Sequence, residues 1–236
     1  MQRRTFITAA GTAGLIGVAG CSGVPNDLSF AAAPAAIAST VANDAGYETE
    51  GPNSFELERS VELAGESRTV RAETWVTAYK RQVGSIIIFS TPNVTVLGQS
   101  LNPLAQLSGS ELIARLLEEL GGGSGLSITD LEADGQTPVT VFEQDATIEE
   151  FTAVSESPPG GTGSTAQFTG NSSSSQGIPI RLYLLSVSHE YSDGNDVVFT
   201  LAVQPQAKTT PETIYDLFGA LQHPTTPPAS ANSGQQ

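Results

Sequence analysis

Three consecutive stretches, IPIRLYLLSVSHEY (residues 178–191), SDGN (192–195) and DVVFTLAVQ (196–204), decide the fold. In the first, Tyr183, Leu185, Val187 and His189 recur at every second position. In the last, Val197, Phe199, Leu201 and Val203 alternate with smaller residues. A period of two in β-branched and aromatic residues predicts strands. Asp193-Gly194-Asn195 between them predicts a tight turn, so the two strands form an antiparallel hairpin.

More strands are expected on either side of this hairpin. Ser85-Ile86-Ile87-Ile88-Phe89 is continuously apolar and β-branched, which suits a central strand covered on both faces. Phe55, Leu57, Val61 and Leu63 alternate with Glu56, Glu58, Ser60 and Glu62, the pattern of a half-buried strand. Ala64-Gly65-Glu66 then leads into a second strand from Arg68 to Arg81. Ile128–Ala133 is expected to lead through Asp134-Gly135 into Pro138–Gln144, followed by a strand over Ala146–Val154. Helices are expected at Pro34–Ala45, after Ser108 with Leu112, Ile113, Leu116, Leu117 and Leu120 on one face, and from Thr210-Pro211-Glu212 with Ile214, Leu217, Phe218 and Leu221.

Hairpins with helices before, within and after them predict an α+β domain. The expected architecture is a single antiparallel twisted sheet of about six to seven strands with helices packed on its faces. This element order resembles the PsbP/Mog1-like sandwich. The expected domain covers residues 30–222. Residues 157–177 (SPPGGTGSTAQFTGNSSSSQG) form a Gly/Ser/Thr/Pro insertion and residues 223–236 a Pro/Ser/Thr tail, neither able to bury enough apolar surface to order itself.

The amino terminus supplies an address. Arg3-Arg4-Thr5-Phe6-Ile7 precedes an uncharged run from Thr8 to Ala19, then Val18-Ala19-Gly20-Cys21. A basic start, a short apolar stretch and small residues before a cleavage point make an export signal over residues 1–20. The run falls short of the about 20 apolar residues that span a bilayer. The arginine pair resembles the twin-arginine motif, and the residues ending at Cys21 resemble a lipobox. That resemblance implies lipid attachment at Cys21, a tether over residues 21–29, the twin-arginine translocase as a partner during export, and a cell membrane location on the extracytoplasmic face. Cys21 is the only cysteine, so no disulfide forms within the chain.

The 236-residue chain carries a net charge of −15, with 25 acidic and 10 basic residues. Such acidity disfavours nucleic acid as a partner. In molar salt the Debye length is about 3 Å, so these carboxylates act as a hydrated surface rather than as a long-range field.

No stretch carries a catalytic, metal or cofactor signature. His189 stands on a strand without an orienting partner in the sequence, and His223 opens the expected tail. Glu118-Glu119 and Glu149-Glu150 are adjacent, so their side chains diverge. Asp130, Glu132 and Asp134 alternate, but a calcium site needs six to eight oxygens and usually a Gly-shaped loop. Gly121 to Gly125 follow a helix, whereas phosphate loops precede one. Trp75 and Tyr79 share a strand face as packing residues. Asn93-Val94-Thr95 and Asn171-Ser172-Ser173 are sequons, making Asn93 and Asn171 candidate glycosylation sites.

Arg3-Arg4-Thr5-Phe6, Cys21, Gly46-Tyr47-Glu48, the segment from Phe89 to Gln99, and Asn102-Pro103 together resemble haloarchaeal twin-arginine-exported lipoproteins grouped as a domain of unknown function. The resemblance implies a location and no catalytic residues. The expected role is a membrane-anchored binding domain at the cell surface, with an unidentified protein or small molecule as partner. The alternatives are a carboxylate-based surface enzyme, which needs two acids about 5–9 Å apart, and an accessory or assembly factor for a membrane complex.

Overall fold

A computed structural model describes residues 27–63, 66–82, 84–96, 99, 100, 102, 104–119, 128–156, 177–208 and 210–226. Arg3, Arg4, Cys21, Asn171 and the insertion up to residue 176 lie outside the described residues. In chain order the elements are β1 (Asp27–Ala31), β2 (Ala36–Ile37), α1 (Ser39–Asp44), β3 (Glu48–Leu63), β4 (Glu66–Lys80), β5 (Ser85–Pro92), β6 (Thr95–Val96), β7 (Gln99–Ser100), α2 (Gly109–Glu119), β8 (Ile128–Val141), β9 (Gln144–Ser155), β10 (Ile178–Tyr191), β11 (Gly194–Pro205), α3 (Pro211–Gly219) and β12 (Leu221–Gln222).

The architecture corrects the expected α+β class. The domain is mostly β, built on one mixed sheet of eight strands rather than an antiparallel sheet of six to seven. The PsbP/Mog1-like sandwich goes with that correction. The sheet is mixed because β1, which begins in the expected tether, pairs parallel to β4 from Asp27↔Thr69 to Ala31↔Glu73. It lies on the same edge of β4 that β5 occupies further along, from Trp75↔Ser90 to Lys80↔Ser85. The path then runs β5-β11-β10-β9-β8, all antiparallel, with β3 on the other edge of β4.

The expected central hairpin forms, with Tyr191 paired to Gly194. Gly194 is required by a close approach: an added Cβ would lie 2.9 Å from the Tyr191 hydroxyl. Two other expectations shift. The first helix shrinks to α1 because tertiary bonds claim the backbone that would have opened it. Thr77 Oγ1 donates to Ala35 O (2.8 Å), Ile37 N donates to the Tyr79 hydroxyl (2.7 Å), and Ala38 N donates to Ala220 O (2.9 Å). The expected turn at Asp134-Gly135 is instead the interior of the 14-residue β8, whose two register shifts absorb the extra residues.

Hydrophobic residues line both faces of the sheet. On one face Tyr47, Tyr79, Ile86, Ile88, Tyr183, Leu185 and Val198 pack with Ile214, Leu217 and Phe218 of α3. On the other, Phe89, Phe151, Leu182, Leu184, Phe199 and Leu201 pack with Leu112, Ile113 and Leu116 of α2. The edge strands are guarded against pairing with other chains. β3 carries Pro52, a register shift between Glu50 and Asn53, and exposed Glu56, Glu58, Arg59 and Glu62. β8 carries Pro138 with exposed Asp130, Glu132 and Asp134.

Candidate functional site

Two places on opposite sides of the sheet have the makings of a site. The first is a cavity of about 450 Å³ where β1, β3 and β4 extend past α2. Register sets its floor: Leu57 lies opposite Ala72 and Arg59 opposite Val70, while Phe30 of β1 also pairs with Ala72, so these side chains share one face. Pro92, Val94 and Thr91 close one wall, and Asn102 and Arg115 complete it. Asn102 is buried at 5 % exposure and shapes the loop above the cavity. Its amide donates to Pro92 O (3.1 Å) and Thr91 Oγ1 (3.4 Å), and its Oδ1 accepts from Leu104 N (3.0 Å). Thr91, Pro92 and Val94, from the segment that carries the family resemblance, thus supply a cavity wall. Arg115, ion-paired with Glu118 at 2.7 Å, lines the cavity together with Glu58 and Arg59. An apolar concavity with a few polar groups at its edge is the usual form of a small-molecule site.

The second place is a buried polar array that the sequence did not disclose. Asp196 opens the buried part of β11 at 1 % exposure. Its Oδ2 accepts from Ala33 N (2.8 Å) and the Tyr191 hydroxyl (3.0 Å) and lies 3.0 Å from His223 Nε2. That nitrogen is also 3.2 Å from Ser90 Oγ and from Ala33 O. His223 Nδ1 meets His189 Nδ1 at 2.9 Å. Ser90, His223 and Asp196 do not make a nucleophilic triad, because serine and carboxylate converge on the same nitrogen. A triad uses one nitrogen for each.

Local structure holds this array in place. Phe142 and Glu143 form the β8–β9 turn with φ of +53° and +61°, a conformation that bulky residues rarely adopt. The turn lays the Phe142 ring on that of His189, with centroids 4.5 Å apart and planes at 26°. Tyr191 stands edge-on to His223 at 5.0 Å and 88°. Burial, reinforced by Asp196, pushes the Tyr191 phenol above its usual range. Burial, reinforced by His223 and opposed by Asp196, holds His189 below its usual value. An open depression lined by Phe142, Glu143, His189, His223 and Pro224 gives solvent access to this end of the array.

His189 is a hydrogen-bonded strand histidine whose partner comes from far along the chain, and the side chain of His223, which opens the expected tail, is fully buried. Residues 221–225 instead close the domain. β12 pairs with β2, and Thr225 N donates to Pro34 O at 2.8 Å. The signal could not be read locally, since His223 and Asp196 are 27 residues apart and Ala33 lies 190 residues from His223.

The remaining candidates are dispersed. Asn93 is half-buried and donates through Nδ2 to Asn195 Oδ1 at 3.3 Å, with Thr95 exposed beside it. Glu149 and Glu150 diverge across the sheet. Glu150 accepts from the Tyr215 hydroxyl (2.6 Å) and Thr137 Oγ1 (2.7 Å), and together with Asp134 it pairs with Arg181. Trp75 donates through Nε1 to Ala32 O and Tyr79 is buried, as packing residues should be. Among the described residues no group of three or more His, Cys, Asp and Glu is arranged to hold a metal. No helix among them is long and apolar enough to cross a membrane.

The fold and its two sites define a mostly-β domain on one mixed sheet, with an apolar cavity on one face and a part-buried histidine pair on the other. The chain belongs to the family described as domain of unknown function DUF6517, whose model matches residues 34–222. No curated protein matches the chain.

Proposed function

We propose that the protein is a lipid-anchored, extracytoplasmic binding domain that takes an amphiphile with an apolar body and one anionic group. The location rests on Arg3-Arg4-Thr5-Phe6-Ile7 and on Val18-Ala19-Gly20-Cys21. The binding role rests on one observation, the cavity between β1, β3, β4 and the loop held by Asn102. Phe30, Leu57, Val70, Ala72, Pro92 and Val94 would cover the apolar body. Arg59 and Arg115 would face the anion, two of only ten basic residues in an acidic chain. A planar, always charged guanidinium suits carboxylate or phosphate recognition. β1 begins six residues after Cys21, so the cavity wall stands a short tether from the proposed anchor.

The test is titration with a fluorescent fatty acid, dansyl-undecanoate, into wild type, Ala72→Trp and Arg59→Gln/Arg115→Gln. The expected result is saturable binding by wild type, loss of at least about tenfold in affinity when the indole fills the cavity, and a smaller loss with the arginine variant. Equal binding by wild type and Ala72→Trp, or none by wild type, overturns the assignment.

A further inference from the structure

The Nδ1 atoms of His189 and His223 are 2.9 Å apart and the ring centres 5.2 Å apart. The difference, 2.3 Å, is taken up by the two centre-to-nitrogen distances inside the rings, so the nitrogens meet head on. One donates its N–H and the other accepts with its lone pair. A tetrahedral ion bonded to both at about 2.0–2.1 Å would set the nitrogens about 3.3 Å apart, wider than observed. The geometry fits a shared proton, not a metal. Such a contact holds one proton and excludes a second, because two facing N–H groups repel each other.

The pair sits where three parts of the chain join. Asp196, on the central hairpin, ties down Ala33 N and His223 Nε2 together. Residues 221–225 lie against residues 34–38 through the β12–β2 pair, Thr225 N to Pro34 O and Ala38 N to Ala220 O. The titratable groups facing the pair are Asp196 of β11, Tyr191 of β10 and Glu143 of the β8–β9 turn. β5 contributes Ser90, and the segment before β2 contributes only the backbone of Ala33. Glu190 alternates to the other face of the strand.

We infer that the His189–His223 pair is an acid-sensitive clasp. At neutral pH the shared proton holds residues 221–225 against residues 33–38. Uptake of a second proton breaks the contact and releases the carboxy-terminal segment from the sheet. Burial and the neighbouring His223 hold His189 below the ordinary histidine value of 6.5, with Asp196 opposing. A depressed value means that the open form takes up the proton first. Closure is therefore fully favoured above the ordinary value and is lost as pH falls through the lower value of the closed form.

Amide hydrogen exchange on the full chain, corrected for the intrinsic pH dependence of exchange, tests this. Between about pH 7.5 and about pH 5, protection of Ala33, Ala38 and Thr225 should fall at least about tenfold. Val198 to Val203 in β11 should keep theirs. His189→Phe keeps the stack on Phe142 without a titrating nitrogen, so its protection at these amides should no longer change between about pH 7.5 and about pH 5. His189→Gln offers the same test with a polar partner for His223. Retained protection in wild type at about pH 5 refutes the clasp. So does an acid-induced loss with the same midpoint in wild type and either variant, since that would place the responsible proton elsewhere.

Discussion

Replacing Asp196 by alanine isolates what the buried array contributes to stability. The carboxylate accepts from Ala33 N and the Tyr191 hydroxyl at 2.8 and 3.0 Å and faces His223 Nε2 at 3.0 Å, all on one oxygen at a site with 1 % exposure. A hydrogen bond to a charged group contributes about 1.5–3 kcal/mol, and three on one atom are not additive. Removing one partner of a buried charged network costs about 3–5 kcal/mol, since the others are left unpaired. The expected loss for Asp196→Ala is therefore about 3–5 kcal/mol. Asp196→Asn keeps an acceptor oxygen and gives up only the charge, for about 1–2 kcal/mol. Urea unfolding followed by Trp75 fluorescence measures both, and the probe is well placed because its indole donates to Ala32 O beside the clamped Ala33. The phenol of Tyr191 supplies a second readout. Part of its upward displacement comes from Asp196, so either variant should bring its titration down toward the usual range. A loss under about 1 kcal/mol for Asp196→Ala, or equal losses for both variants, would refute the idea that this carboxylate holds Ala33 and His223 together.

Three further outcomes test other parts of the reading. Leu116→Ala on α2 removes a side chain with no exposure from the second core cluster; it should cost about 2–5 kcal/mol in the same urea assay, and a change below about 1 kcal/mol would mean that α2 is not an integral cover of that face. Replacing Arg3-Arg4 by Lys-Lys should retain the chain inside the cell, and Cys21→Ser should free it from the membrane fraction; export or membrane retention unchanged in fractionation would remove the proposed anchor.

Most strands were legible in the sequence, and they were legible for a local reason. Alternation in β10, β11 and β3, and the apolar run of β5, impose a face on each segment whatever its neighbours. Turn chemistry was read less well. Asp134-Gly135 has turn composition, yet Asp134 pairs with Arg181 two strands away and β8 continues through it. Conversely, Phe142-Glu143 has no turn composition and nevertheless makes the tight β8–β9 connection. The cavity was not legible: the segment from Phe89 to Gln99 carried only a family resemblance, and the cavity floor depends on β1 lying beside β4. The histidine array was illegible, because composition classed His223 with a polar tail.

The sequence by itself determined the segments that become strands, the apolar faces they present and the acidic surface, because each follows from side-chain periodicity and composition within a few residues. Only the tertiary structure decided the mixed sheet, the shortened first helix and the meeting of His189, His223 and Asp196. These depend on backbone and side-chain hydrogen bonds between residues far apart in the chain. Ala33 and Asp196, separated by 163 positions, come together only once β1 and the central hairpin share one sheet and the closing segment pairs with β2 beside them.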